Sequence, residues 1–148
     1  MINPIVKTSE GSPLREKEAP ESDSERIEDL EVGGSSYGIY SALLTQSSTN
    51  APTANVKETT LEAVIDYTYD DVGVYNIVSD TPIFTETNFT FIQGAGNAST
   101  LLSLWVYYID ASTLKMEVYD LGNVGAGFET KDDVMLNQFI EIRVYTTI

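Results

Sequence analysis

The chain has 148 residues, 42% hydrophobic and 10% aromatic, enough for one domain with a core and too little for two. Eight basic residues against 23 acidic ones give a formal charge of −15, so a nucleic-acid backbone is repelled and no nucleic-acid partner is expected. Cysteine and histidine are both absent, which removes disulfides, thiolate nucleophiles, the usual zinc sites and histidine general bases together.

Residues 1–32 contain no aromatic residue, three of the five prolines, and nine acidic against four basic side chains. Such a segment cannot build a core, and the dense charge of residues 16–31 is that of a chain that stays disordered when isolated. The bland reading is a solvated tail. The sharper one is an extended acidic arm that orders only on a partner, with Ile2, Pro4, Ile5 and Val6 as an apolar docking tip. The apolar part of this N-terminus is too short for a secretory signal. Gly33-Gly-Ser-Ser reads as a flexible joint, which divides the chain into an arm and joint over 1–36 and a β-domain over 37–148.

All 15 aromatic residues fall from Tyr37 onward, in short alternating runs separated by Asp, Asn, Gly, Ser and Thr clusters, the pattern of an all-β domain. Strands are expected near Gly38–Thr45 and Val56–Leu61. In residues 63–70, Ala63, Ile65, Tyr67 and Tyr69 share one face while Asp66, Thr68 and Asp70 share the other. Gly73 can take the positive φ that closes a tight hairpin into Val74–Ser79. A further strand is expected near Thr87–Ile92. Leu114, Met116 and Val118 point inward in the next strand, and Ile140, Ile142 and Val144 in the last.

Residues 101–109 break the alternation. Leu102, Leu104, Val106 and Tyr108 lie on one side; Leu101, Trp105, Tyr107 and Ile109 lie on the other. This nine-residue stretch is also the longest apolar run, far short of the roughly 20 residues of a membrane-spanning helix, and no membrane partner is expected. In an antiparallel sandwich only one face of a sheet meets the core, so the second apolar face is expected to meet another subunit, or else a loop. If Trp105 is packed, its replacement by alanine should cost about 3–5 kcal/mol.

Three stretches carry a resemblance: residues 40–61, the hairpin Gly73-Val-Tyr-Asn-Ile, and the ending from Asp133 to Tyr145. They resemble small β-sandwich proteins encoded by tailed phages and prophages of Bacteroidetes-type hosts, including crAss-like phages. The resemblance covers roughly residues 37–148 and rests on strand order and phrase, not on a catalytic motif. It implies a virion structural role, as a head-decoration, head-fibre or attachment protein, with other virion proteins as partners. It also implies a homo-oligomer, with a trimer favoured. It brings no active-site residues with it.

Other chemistry is weak. Asp66, Asp70, Asp71 and Asp80 could gather oxygens around Ca²⁺, but they lack the spacing of a cation-binding loop and are better read as turn residues, as are Asp132 and Asp133. With 23 acidic residues, some carboxylate pair falls close by number alone. Gly94-Ala-Gly-Asn lacks the lysine and helix of a phosphate loop and reads as a flexible loop. Asn88-Phe-Thr and Asn97-Ala-Ser match the glycosylation triplet, which is common by chance. Exposed Tyr and Trp stack on sugars as readily as they fill subunit contacts, so a carbohydrate- or receptor-binding module is the alternative.

The expectation is therefore an all-β protein: a single antiparallel β-sandwich, jelly-roll-like, of seven or eight strands, with an extended N-terminal arm. It is expected to be non-enzymatic, to need no cofactor or metal, and to reside in the virion.

Overall fold

The computed structural model describes residues 36–97, 101–122 and 127–146. The arm, its docking residues Ile2, Pro4, Ile5 and Val6, and the glycine joint at 33–34 lie outside these.

The described residues form nine strands: β1 (Ser36–Thr45), β2 (Thr53–Thr59), β3 (Ile65–Asp71), β4 (Val74–Ser79), β5 (Phe89–Gln93), β6 (Leu102–Asp110), β7 (Thr113–Asp120), β8 (Glu129–Thr130) and β9 (Gln138–Thr146). Two antiparallel sheets pack as a sandwich. The first has the order β2-β1-β9-β5; the second has the order β3-β4-β7-β6, with the two-residue β8 also paired to β7. Three hairpins, β1–β2, β3–β4 and β6–β7, each stay within one sheet. The chain crosses between sheets on entering β3, β5, β6 and β9. Two main sheets of four strands are the proportions of a jelly-roll-like sandwich.

In β7 and β9 period-two alternation places the core where the sequence puts it, and β1 and β4 add to it. Tyr40, Ala42 and Leu44 of β1, Tyr75 and Ile77 of β4, Leu114, Met116 and Val118 of β7, and Ile140, Ile142 and Val144 of β9 are all buried. These four strands are central in their sheets, so each inward side chain meets two flanking strands and the opposite layer. Phe84, in the irregular segment before β5, is also buried and sets its ring edge-on to Phe89 at 6.1 Å.

The structure adjusts two boundaries and adds one short strand. β2 runs from Thr53 to Thr59, three residues earlier than its alternation suggests, and every residue in it is exposed. An edge strand with neither face covered carries no periodic signal. β5 runs from Phe89 to Gln93, and β8 is too short to leave a pattern of its own. The segment 94–97 is irregular but anchored: Gly94 N–H donates to the Phe139 carbonyl (2.9 Å), Phe139 N–H to that of Ala95 (3.0 Å), and Asn97 N–H to that of Leu136 (2.8 Å).

Gly73 closes the β3–β4 hairpin with φ of +65°. A Cβ there would lie 2.3 Å from the backbone nitrogen of Lys131, so glycine serves both the left-handed turn and the close passage of β8.

Candidate functional site

The outer face of the β3-β4-β7-β6 sheet holds the largest group of exposed aromatics. β6 is an edge strand, and its odd-numbered residues turn away from the core. Trp105 is 61% exposed, Tyr107 41% and Ile109 46%, with Leu101 exposed just before the strand. Their even-numbered neighbours face inward: Leu102 and Leu104 are buried, and Val106 and Tyr108 pack against the core. The four residues expected at a subunit contact therefore share one solvent-facing surface, and among the described residues no loop covers it. Among the described residues only the Tyr119 ring stands beside Trp105, which is otherwise exposed, so the cost of about 3–5 kcal/mol expected for a packed tryptophan does not apply to the isolated subunit.

The polar groups on this face are tied to one another. Trp105 stands opposite Glu117 and Ser103 opposite Tyr119 in the β6–β7 register. The Trp105 and Tyr119 rings lie 5.5 Å apart, and Trp105 Nε1 donates to Ser103 Oγ at 3.1 Å. Glu117 is gripped from both sides: Tyr107 Oη donates to Oε1 at 2.8 Å and Tyr119 Oη to Oε2 at 2.5 Å. These hydrogen bonds to a carboxylate hold both tyrosine protons above the ordinary value of 10. Lys115 pairs with Asp70 at 2.8 Å, and Asn76 Nδ2 donates to Thr68 Oγ1 at 3.1 Å. The result is a surface on which Trp105, Tyr107 and Tyr119 gather around the Glu117 carboxylate.

A second polar knot lies at one end of the sandwich. Asp132 accepts hydrogen bonds from Tyr75 Oη (2.7 Å), Tyr69 Oη (3.0 Å) and Gly73 N–H (2.8 Å). Burial works against its charge, but the bonds from Tyr75, Gly73 and Tyr69 outweigh that and hold its pKa below the ordinary 3.8. Beside it, Asp133 adopts φ of +62°, donates its N–H to buried Gln46 Oε1 at 2.7 Å, and accepts from Ser48 N–H. These aspartates fasten the segment before β9 to two other loops, the turn role expected of them.

The carboxylates considered for Ca²⁺ also do turn and pairing work. Asp71 accepts from Val72 N–H (2.7 Å), Asp80 from Val64 N–H (2.9 Å), and Asp70 is held by Lys115. Among the described residues, no three carboxylates gather as a metal site. A half-open cleft of about 670 Å³ is lined by Tyr37, Leu61, Glu62, Pro82, Ile83 and Asn88, among others. Glu62 is the one carboxylate in its described lining.

The face was legible in part. Alternation in residues 101–109 identifies Trp105, Tyr107 and Ile109, whereas Tyr119 and Glu117 join only through the hairpin register, which sequence does not state. No family model, no curated protein and no solved structure matches the chain.

Proposed function

We propose that the chain is a non-enzymatic structural protein of a tailed-phage particle, one that decorates the particle or bridges other virion proteins and associates with further copies of itself. The observation that carries this reading is the exposed face of Trp105, Tyr107 and Ile109 on a single edge strand, with Leu101 just before it. Exposed apolar groups gathered in one place mark contact surfaces, and Trp and Tyr are the residues enriched at such contacts. The resemblance of residues 37–148 to phage β-sandwich proteins supplies the setting. Attachment through residues 1–32 follows from their composition, an acidic segment with an apolar tip.

Trp105→Ala tests this. The substitution removes one weak hydrogen bond and one ring–ring pairing from an exposed site, so the isolated subunit should be destabilised by only about 1 kcal/mol in denaturant melts. Self-association in sedimentation and occupancy on particles should fall sharply. A variant that keeps normal assembly and normal occupancy would remove the face from the account.

One observation favours a second reading, a carbohydrate- or receptor-binding module: Trp105, Tyr107 and Tyr119 lie on a wet sheet face around Glu117, where rings can stack on pyranose faces and a carboxylate can accept sugar hydroxyls. Quenching of Trp105 fluorescence by soluble oligosaccharides, without change in oligomeric state, would favour it.

A further inference from the structure

The backbone of β6 gives this face a specific geometry. Leu121 N–H donates to the Leu101 carbonyl at 2.8 Å, and the register places Leu102 against Asp120 and Leu104 against Val118. In an antiparallel pair, hydrogen-bonded and non-hydrogen-bonded positions alternate. Ser103, Trp105 and Tyr107 therefore direct their N–H and C=O groups to β7, while Leu102, Leu104, Val106 and Tyr108 direct theirs outward from the sheet edge. The upper part of that edge is closed by one side chain from the other sheet. Gln93 Nε2 donates to the Leu102 carbonyl and Leu104 N–H donates to Gln93 Oε1, both at 2.9 Å. Gln93 thus stands in for a neighbouring strand over two residues and stops there. Among the described residues, no partner takes the Leu104 carbonyl or either backbone group of Val106 and Tyr108.

The other edges are guarded. β2 contains Lys57 and a bulge against β1, and β3 carries Asp66 and Asp70 on its outer face and a bulge near Asp71. Charges and bulges are the usual protections of an edge strand. β5 is only five residues long. β6 is nine residues long and uncharged from Leu102 to Ile109, and its register shift against β7 falls between Tyr108 and Asp110, at the turn end of the strand, which leaves Leu102 to Tyr108 regular.

We propose that β6 pairs edge to edge with β6 of a second copy of this chain, antiparallel about a two-fold axis at Tyr107. This deepens the self-association in the proposed function and replaces the three-fold arrangement implied by the resemblance with a two-fold one. In this register Val106 faces Tyr108 of the other copy twice over, so the N–H and C=O groups of Val106 and Tyr108 on each strand satisfy one another, in four hydrogen bonds altogether. The pairing ends there, because the β6 register shifts between Tyr108 and Asp110; the Leu104 carbonyl lies at its margin, and the Leu104 N–H is already occupied by Gln93. On the outer face Tyr107 meets its own symmetry mate, and Trp105 meets Ile109, apolar and aromatic pairs of the kind that stabilise paired strands. No charged side chains oppose each other. A foreign strand could add at the same edge, but self-pairing alone satisfies both edges by symmetry. Residues 33–148 hold 14 acidic and four basic side chains, so two copies repel at long range, and salt should tighten this pair by screening.

The test uses the full chain with Tyr107→Lys and Tyr107→Glu, both at a solvent-facing site whose backbone stays bonded to β7. In sedimentation equilibrium the wild-type chain should dimerise, and more strongly with added salt. Each variant alone, with like charges facing across the axis, should dimerise at least tenfold more weakly. An equimolar mixture of the two should recover dimer. Hydrogen exchange gives an independent readout: the amides of Val106 and Tyr108 should slow as concentration rises, while those of Trp105 and Tyr107 stay unchanged. A wild-type chain that is monomeric up to about 1 mM, the weak end of specific association, would overturn the proposal. So would variants that dimerise normally, a mixture that recovers nothing, or a dimer in which Val106 and Tyr108 exchange at the monomer rate. Any of these outcomes with normal occupancy on particles would leave the proposed function standing, whereas a chain that dimerises but is absent from particles would reject that function and keep the pairing.

Discussion

Phe84→Ala should destabilise the domain by about 3–5 kcal/mol, the range for removing a buried aromatic ring, and urea melts followed by tyrosine fluorescence would measure it. The ring is buried between the layers and meets Phe89 edge-on. It belongs to no strand, and its backbone is held by N–H bonds from Ile83 and Phe84 to the Ala111 carbonyl at 2.8 and 3.0 Å. Those bonds tie the β4–β5 connection to the β6–β7 turn, so the surrounding chain cannot easily collapse into the space left. Phe84→Leu should recover more than half of the loss. Equal stability of the alanine variant and wild type would mean that this segment does not close the core.

Asp132→Ala should cost about 2 kcal/mol at neutral pH, because the Tyr75 and Tyr69 hydroxyls and the Gly73 N–H all lose their acceptor. The pH dependence has a definite sign. The folded-state pKa of Asp132 lies below the ordinary 3.8, so its contribution is fully present above that value and is lost as pH falls through the lower folded-state one. The stability gap between wild type and Asp132→Ala should therefore be flat from neutral pH to about pH 5 and narrow toward about pH 2. A gap that widens in acid would contradict the charged, three-bonded state of this carboxylate.

Phe84 and Asp132 are both hard to read from the sequence, unlike the regular strands around them. Strands β7 and β9 show their buried faces directly, because residues such as Leu114, Met116 and Val118 alternate with polar ones and only one side is wet. Phe84 has no such signature, since a buried residue in an irregular segment depends on where the chain crosses between sheets. The function of Asp132 is equally hidden. Its two tyrosine partners lie 57 and 63 residues away in sequence, and only the closure of the β3–β4 hairpin against β8 brings them together. At the candidate face, Trp105, Tyr107 and Ile109 stand out because both sides of β6 are apolar. The role of Gln93 does not, because a glutamine at the end of a short strand looks like any solvated side chain until β6 is seen beside it.

The measurement closest to the central claim is quantitative mass spectrometry of particles purified from a host carrying this gene, compared with the cleared lysate. The account predicts this chain at a fixed ratio to the major particle proteins, enriched through successive density-gradient steps. A chain abundant in the lysate and absent from the particle band would contradict a structural role in the virion.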